Sequence, residues 1–548
     1  MTPRVEETDV LIVGCGPVGA LTANFLGLYG VRTLLVERMP TPHGLPRAIT
    51  CDDEALRIYQ AAGLAEPMDA HMYTVPEVQM TGANGELFAR VVIQGLDFGN
   101  GFPALRFFSQ PYVEDVLRQG LSRFPHVELR FGQSVEAYSQ DAHGVSATVR
   151  DARDGSEHTV RARYLLACDG GRSTLRRLAG IEMVGSTYDE QMLAISLLLP
   201  EPPPPICRMV CDPHRHIFVA RCSGNEMRVD CTIRQDEKAE DLLRPERIRE
   251  FIAPFVDPDR ATVLRAAAYV FNSRMASRWR DGRLFLLGDA AHLMPPVLGQ
   301  GLCSGLRDAH NLSWKLASVL HGHADERILE TYEQERRPHV EAMLDTSDQM
   351  GRVVLTGSRP MALLRDSVFR ALDRIPRAQR FIRNFEFKPR PLISRGFMLG
   401  GSRAHRQAPE GTYFPQPRVG APGGEVVRLD ELLGPGFAVL VHPEARETVR
   451  RGAQVLADSL GARCLRIIPP RSGQAQSGEV VDTEGKLDAW FNEHRVEIAV
   501  LRPDRYLYGA VRGSHLASLS MALRRWIHGS PGTLAPPASG AVFKSSVG

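Results

Sequence analysis

Three scarcities narrow this 548-residue chain before any motif is read. Charge imbalance is one: 66 Lys+Arg against 64 Asp+Glu leave a net +2, so nothing in the balance favours nucleic acid or an anionic membrane as partner. Paired cysteines are another. The nine cysteines are odd in number and contain no CxxC, which argues against a disulfide framework, a zinc ribbon or any metal site, and makes the cytosol the natural compartment, a cytoplasmic protein. The third is a genuine apolar span. The charge-free stretch 10–31 follows Glu6, Glu7 and Asp9, the wrong flank for a signal peptide. It also holds Gly14, Gly16, Pro17, Gly19, Gly27 and Gly30, which read as a turn and a close-packed helix, not a membrane segment. What remains is an ordinary composition, 43% hydrophobic and 24% charged, with room for three or four domains at roughly 150 residues each.

Residues 8–13 (TDVLIV) read as a buried strand, 14–19 as a turn, Ala20–Leu28 as a helix and Val31–Glu37 as a second strand. In that βαβ setting Gly14-x-Gly16-x-x-Gly19 is a dinucleotide signature. The first glycine permits the turn, the second lets backbone approach a pyrophosphate, and the third brings helix and strand together above a helix N-terminus that favours anions. Glu37, 18 residues past Gly19, is placed to accept from a ribose diol. These residues alone fit a turn in another α/β fold and do not separate NAD from FAD. Two later segments do: Cys168-Asp169-Gly170-Gly171-Arg172-Ser173-x-x-Arg176, and Gly288-Asp289-Ala290-Ala291-His292 followed by Pro295-Pro296-x-x-Gly299-Gln300-Gly301, each after a strand.

With that order and spacing the chain resembles the flavoprotein aromatic hydroxylases of the para-hydroxybenzoate and phenol hydroxylase type, over about its first 350 residues. It is similar in particular to the 3-(3-hydroxyphenyl)propionate/3-hydroxycinnamate hydroxylase branch. The shared stretches are PRAI-x-x-DDEALR (Pro46–Arg57), GDAAH-x-MP, GQG, RDA-x-NL-x-WKLA (Arg307–Ala317) and the later DTEGKLDAWF and RPDRY. The resemblance implies that Gly14, Gly16, Gly19 and Glu37, with Pro17, Val18 and Arg38 beside them, hold the ADP half of FAD. Arg47 and Gln110 would meet its phosphates and sugars. Within Gly288-Asp289-Ala290, Asp289 would bind the ribityl chain, and Gly299, Gly301, Leu302 and Cys303 would offer backbone N–H groups to the pyrimidine edge. Asp169 and Arg176 would serve both FAD and the reduced nicotinamide, NADH or NADPH. Cys303 departs from the family, which commonly carries asparagine there, so it reads as a small packing residue.

A second strand–GxGxxG–helix unit and a WxWxI motif are both lacking, which sets aside two-Rossmann monooxygenases, disulfide reductases and flavin halogenases. Hydroxylating a phenol calls for a base or relay tuned near neutrality, and the helix starting near Gly301 would aim its dipole at a reduced, anionic flavin. Tyr188, Tyr269, His292, Asp52 and Asp53 are the candidates, with Tyr269 first. Each has a plain alternative: a tyrosine packed in its sheet, a loop-supporting histidine, or cap and first-turn charges of the helix DDEALRIYQ. The carbonyl of Pro296 would face the substrate hydroxyl. Arg208, Arg215 and Arg221, in the alternating stretch 190–275, are the cations available for a carboxylate.

The expected fold class is α/β: a Rossmann-like FAD-binding domain of the para-hydroxybenzoate hydroxylase type (1–187 and 276–390), a mixed-sheet substrate domain (188–275), a linker (391–424), a thioredoxin-like domain lacking CxxC (425–527) and a mobile tail (528–548). The expected activity is insertion of one atom of O2 ortho to the hydroxyl of a meta-substituted phenol. The expected substrate is 3-(3-hydroxyphenyl)propionate or 3-hydroxycinnamate. Other phenols, resorcinols or polycyclic aromatics are the first alternative, and a non-catalytic FAD-holding assembly protein the second. A homodimer is the expected assembly.

Overall fold

The structure, a computed structural model, describes residues 5–527 other than 43, 45, 46, 83, 84, 406, 471 and 472. The expected tail and Pro46 of the PRAI motif lie outside the described residues. Strand Val5–Val13, whose Val10, Leu11 and Ile12 have 0% exposure, lies between strands Thr33–Glu37 and Glu157–Ala167 and runs parallel to both. Parallel strands need crossovers that cover the sheet, so such a strand is apolar throughout instead of alternating. Helix Pro17–Leu28 is the first crossover. Strands Val127–Phe131 and Leu284–Leu286 extend the sheet on its two sides. The chain therefore leaves this sheet at residue 167 and rejoins it near 284, which brings Asp169 and Asp289 to the same carboxyl edge as Gly14–Gly19, where open α/β sheets hold ligands.

The excursion builds a second sheet in the order Thr262–Ala276, Met183–Leu198, Glu226–Ile233, Arg215–Arg221, Cys207–Asp212, Glu77–Thr81, Leu87–Val92. One face buries Leu193, Ile195, Val219, Val229 and Cys231 beneath Ile248 and Ile252 of helix Pro245–Ile252. The opposite face walls a cavity. The sheet also departs from the boundaries expected at 188 and 275. Strands Met183–Leu198 and Thr262–Ala276 cross both, and two strands from the N-terminal segment close the far edge. Those two carry the alternating pattern over only 5 and 6 residues, too short to stand out.

In the C-terminal sheet, Ala438–Val441 pairs parallel with Arg463–Ile468 and antiparallel with Ile498–Leu501, which pairs antiparallel with Leu507–Val511. Helices Glu447–Leu460 and Lys486–His494 make the connections, giving the thioredoxin-like order. The 391–424 segment is packed, not a loose linker: Ile393, Phe397 and Met398 are buried, Phe414 and Val419 enter the C-terminal core, and Arg418–Gly420 is a strand of its sheet. Two buried charge clusters tie this unit to the rest. Arg57 pairs with Asp430 through Nε (2.8 Å) and Nη2 (2.9 Å). Glu335 accepts from Lys315 Nζ, Asn311 Nδ2 and Arg502 Nη2, each at 2.7 Å. Among the described residues no helix is long and apolar enough to cross a membrane.

Candidate active site

One continuous cavity of about 930 Å³ runs along the carboxyl edge of the parallel sheet and on across the inner face of the second. Its first end is lined by Gly14, Gly16, Pro17, Val18, Glu37 and Arg38. Gly14 takes φ +102°, and a Cβ there would stand 2.4 Å from the Cys168 carbonyl oxygen, so the turn is closed by backbone against backbone. Gly19 does not reach the cavity; a Cβ on it would stand 2.0 Å from Gly14 O, the close helix–strand approach expected of it. At Gly16 the result is opposite. A Cβ would meet nothing within 4 Å and would project into the cavity space. Gly16 caps helix Pro17–Leu28 with no side-chain hydrogen bond, so the helix's first N–H groups are left for a ligand. Glu37 accepts from Cys15 N (2.9 Å) and Met39 N (3.0 Å), which fixes its carboxylate at the rim.

Midway along the cavity stand Arg47, Gln110, Asp169 and Asp289. Gln110 acts on the loop: its Oε1 accepts from Arg47 N (3.2 Å) and Ala48 N (2.7 Å). Asp169 Oδ2 accepts from Thr174 N (2.7 Å), while its buried Oδ1 has no protein partner. Asp289 opens onto the cavity, yet the surrounding protein raises its carboxyl above the usual range against the pull of His292 and Arg47. An unfilled acceptor, an uncapped helix start and a glycine cradle in one cleft fit a dinucleotide. Arg176 does not line the cavity; it donates to Ala290 O (3.1 Å) and Gly171 O (2.9 Å), tying the two aspartate loops together.

The second helix start is Gly301–Leu320, also without a side-chain cap, preceded by Gly299 at φ +64°. Gly299, Gly301 and Leu302 line the cavity; Gly288, Ala290 and Cys303 lie behind it. Cys303 is buried with its thiol toward Gly299 O (3.9 Å) and is pushed up to about 12 by burial, the inert packing residue expected. Pro296 faces the cavity, but its carbonyl accepts Gly299 N (2.9 Å) and so closes the turn.

Among the base candidates the structure separates sharply. His292 is fully buried outside the cavity, with Nε2 2.7 Å from Asp308 Oδ2 and its ring against Trp279, so it supports the loop. Tyr188 donates to Asp348 (2.6 Å) away from the cavity. Asp52 caps its helix by accepting Ala55 N (2.9 Å), and Asp53 accepts from Asn100 (2.7 Å) behind it. Asp52 does line the cavity; burial would raise its pKa, but Arg307 and Lys388 (Nζ at 2.7 Å) hold it well below the carboxylate range. Tyr269 faces the cavity, its hydroxyl 3.5 Å from Asp230 Oδ2. Burial and then Asp230 raise its pKa far above the usual phenol value, so Tyr269 remains a neutral phenol at neutral pH.

The cavity wall around Tyr269 holds Met80, Met192, Met209 and Phe218, an apolar bed for a ring. Arg208, Arg215 and Arg221 are elsewhere, donating to Gln79, Glu237 and Pro203 O. The charged residues that do line this wall are Arg228, Asp230 and Arg265, which the sequence reading passed over. The signal was present: Arg265 and Tyr269 are four apart on one strand, and Arg228 and Asp230 two apart on another, so both pairs share a face.

Fold and cavity together define an FAD-binding oxidoreductase. Residues 7–347 match the family described as FAD binding domain, and 411–526 that described as HcaD C-terminal domain. The chain belongs to the family of 3-(3-hydroxyphenyl)propionate/3-hydroxycinnamic acid hydroxylases, FAD-dependent monooxygenases. It is 37% identical over 532 residues to such a hydroxylase of Burkholderia vietnamiensis, covering 95% of this chain and 96% of the relative. It is 38% identical over 543 residues to one from a Mycobacterium species, covering 96% and 94%. In fold it is similar to the flavin-dependent monooxygenase PieE solved with FAD and substrate (TM-score 0.78, 24% identity, 95% of this chain and 98% of that one). It is also similar in fold to aklavinone-11 hydroxylase solved with FAD and aklavinone (TM-score 0.77, 23% identity, 95% and 99%).

Proposed function

We propose that the protein hydroxylates 3-(3-hydroxyphenyl)propionate, and 3-hydroxycinnamate, at the ring carbon ortho to the hydroxyl, using O2 and a reduced nicotinamide, in the cytoplasm. The observation that carries this reading is the single cavity in which a dinucleotide cradle continues into an apolar bed holding Tyr269, Asp230 and Arg228. Gly14, Gly16, Glu37, Arg38 and the start of helix Pro17–Leu28 would hold the ADP half of FAD. Asp289 would take the ribityl chain, and the N–H groups at Gly301 and Leu302 the flavin's pyrimidine edge. Bound FAD supplies electron transfer from the nicotinamide and activation of O2.

The chain's own residues supply the rest. The ring lies on Met80, Met192 and Phe218, which exclude water. The substrate hydroxyl donates to Tyr269 Oη, whose own proton points to Asp230. As the ring becomes electron-rich, the proton moves through Tyr269 to Asp230 Oδ2. Burial raises Asp230 although Arg228 opposes it, which brings this carboxylate nearer to the proton affinity that general-base work near neutral pH needs. With FAD held at Gly301 and Leu302, the N-terminal end of helix Gly301–Leu320 would favour the negative charge of the reduced cofactor.

The test is rapid-mixing reduction of the FAD-loaded protein by NADH with and without 3-(3-hydroxyphenyl)propionate, with product analysis. The expected result is faster reduction with the ligand and near-stoichiometric 2,3-dihydroxy product. Reduction indifferent to the ligand, with all reducing equivalents recovered as hydrogen peroxide, would overturn the reading.

A further inference from the structure

A substrate that ends in a carboxylate needs a cation inside the cavity, and the strand register supplies one that faces the right way. Ser196 pairs with Arg265 on one side and Arg228 on the other, so the three residues form a row across three strands. Strands lie about 4.8 Å apart, which puts the two arginine backbones roughly 10 Å apart with Ser196 between them. Arg228 is engaged within the row: its Nη1 donates to Ser196 Oγ (3.0 Å) and its Nε pairs with Asp230.

Arg265 lines the cavity on the same face and the same strand as Tyr269, four residues earlier, about 13 Å along the strand. The row between them is filled by Ala267 and Ala194, whose methyl groups leave a channel over the sheet. Long side chains reaching in from both ends shorten the gap to the span of a small molecule with a hydroxyl at one end and an acid at the other. Burial, and then the guanidiniums of Arg47 and Arg228, push the Arg265 pKa down. A carboxylate placed there offsets both the lost hydration and the repulsion through charge-assisted hydrogen bonding.

We propose that Arg265 binds the carboxylate of the phenolic substrate, with Ser196 and Arg228 behind it, so that the acid end, as much as the ring, selects hydroxyphenyl acids. This rests on the hydroxylase reading above. The test is equilibrium titration of the FAD-loaded protein, followed by the change in flavin absorbance, with 3-(3-hydroxyphenyl)propionate and with 3-ethylphenol, which keeps the meta substituent and lacks the charge. Arg265→Gln should weaken the propionate about 100-fold, the worth of a charge-assisted hydrogen-bond pair, and shift 3-ethylphenol by no more than about threefold. Arg265→Lys should recover part of the loss, since an ammonium keeps the charge but not the fork. Parallel weakening of both ligands, or no weakening of the propionate, would overturn the proposal while leaving the hydroxylase reading standing. Failure of the wild-type holoprotein to bind either phenol would remove both.

Discussion

Glu335 gives the structure's most quantifiable prediction. It is fully buried, accepts from Lys315, Asn311, Arg502 and Phe397 N, and joins helix Thr331–Val354 to the C-terminal sheet. Burial alone would raise its carboxyl, yet Arg502 and then Lys315 hold it down to about 2. Arg502 is the stronger partner, donating to both carboxylate oxygens where Lys315 reaches one. Against an ordinary glutamate near 4.3 that depression is worth about 3 kcal/mol of folding stability at neutral pH. A separate route, the cost of removing one member of a buried pair, gives about 3–5 kcal/mol. Glu335→Gln should therefore lower stability by about 3 kcal/mol in urea unfolding of the holoprotein at pH 7, followed by tryptophan fluorescence; Trp314 lies 5.4 Å from the Arg502 guanidinium and reports on the junction. The pH dependence has a definite sign. A depressed carboxylate stabilises above its unfolded pKa and loses that contribution as pH falls toward the folded value, so the gap between wild type and variant should shrink by roughly half at pH 3. A gap below about 1 kcal/mol at pH 7, or one that does not narrow on acidification, would refute the assignment of Glu335 as a charged, paired keystone.

Tyr269→Phe should slow product formation about 10²- to 10³-fold while NADH still reduces the bound flavin; equal loss in both steps, seen by rapid mixing, would refute the relay. Asp230→Asn should remove the acid limb of the pH–rate profile, because activity that needs this carboxylate ionised falls as pH drops through its raised pKa; a variant that keeps the wild-type limb would assign it to another group. Gly16→Val should fold normally, since a Cβ there meets no protein atom within 4 Å, but weaken FAD binding at least about tenfold, read by flavin titration of apoprotein. Gly14→Ala should instead lower the apoprotein's unfolding temperature, its Cβ falling 2.4 Å from Cys168 O at φ +102°.

The parts of this molecule that were legible in the sequence are those where a local requirement and a global one coincide. Gly14 has to be glycine both for its own φ and for the approach of Cys168, and the apolar run 10–13 has to be unbroken because it is covered on both faces. Asp169 and Asp289 were readable because each directly follows a strand of that sheet. The cavity's second half obeys a different logic. Whether Arg208 or Arg228 looks inward depends on which face of one sheet the helix Pro245–Ile252 covers, and alternation fixes only that neighbours oppose each other, not which of them is inside. One inward residue settles the phase of its whole strand, and pairing carries that phase to the next. Tyr269 placed in the cavity commits Arg265 on its own strand, and through Met192, Ala194 and Ser196 commits Arg228 and Asp230 on the strand beyond. The same two-step logic explains the misjudged linker. Phe397 and Gly396 lie in a stretch rich in turn-forming residues, and only the docking of Glu335 and Arg502 against them makes that stretch part of the core. Buried charge is thus the feature least visible beforehand and most consequential here. Lys315 and Glu335 on neighbouring helices look like a solvated face until a third element, carrying Arg502, closes over them.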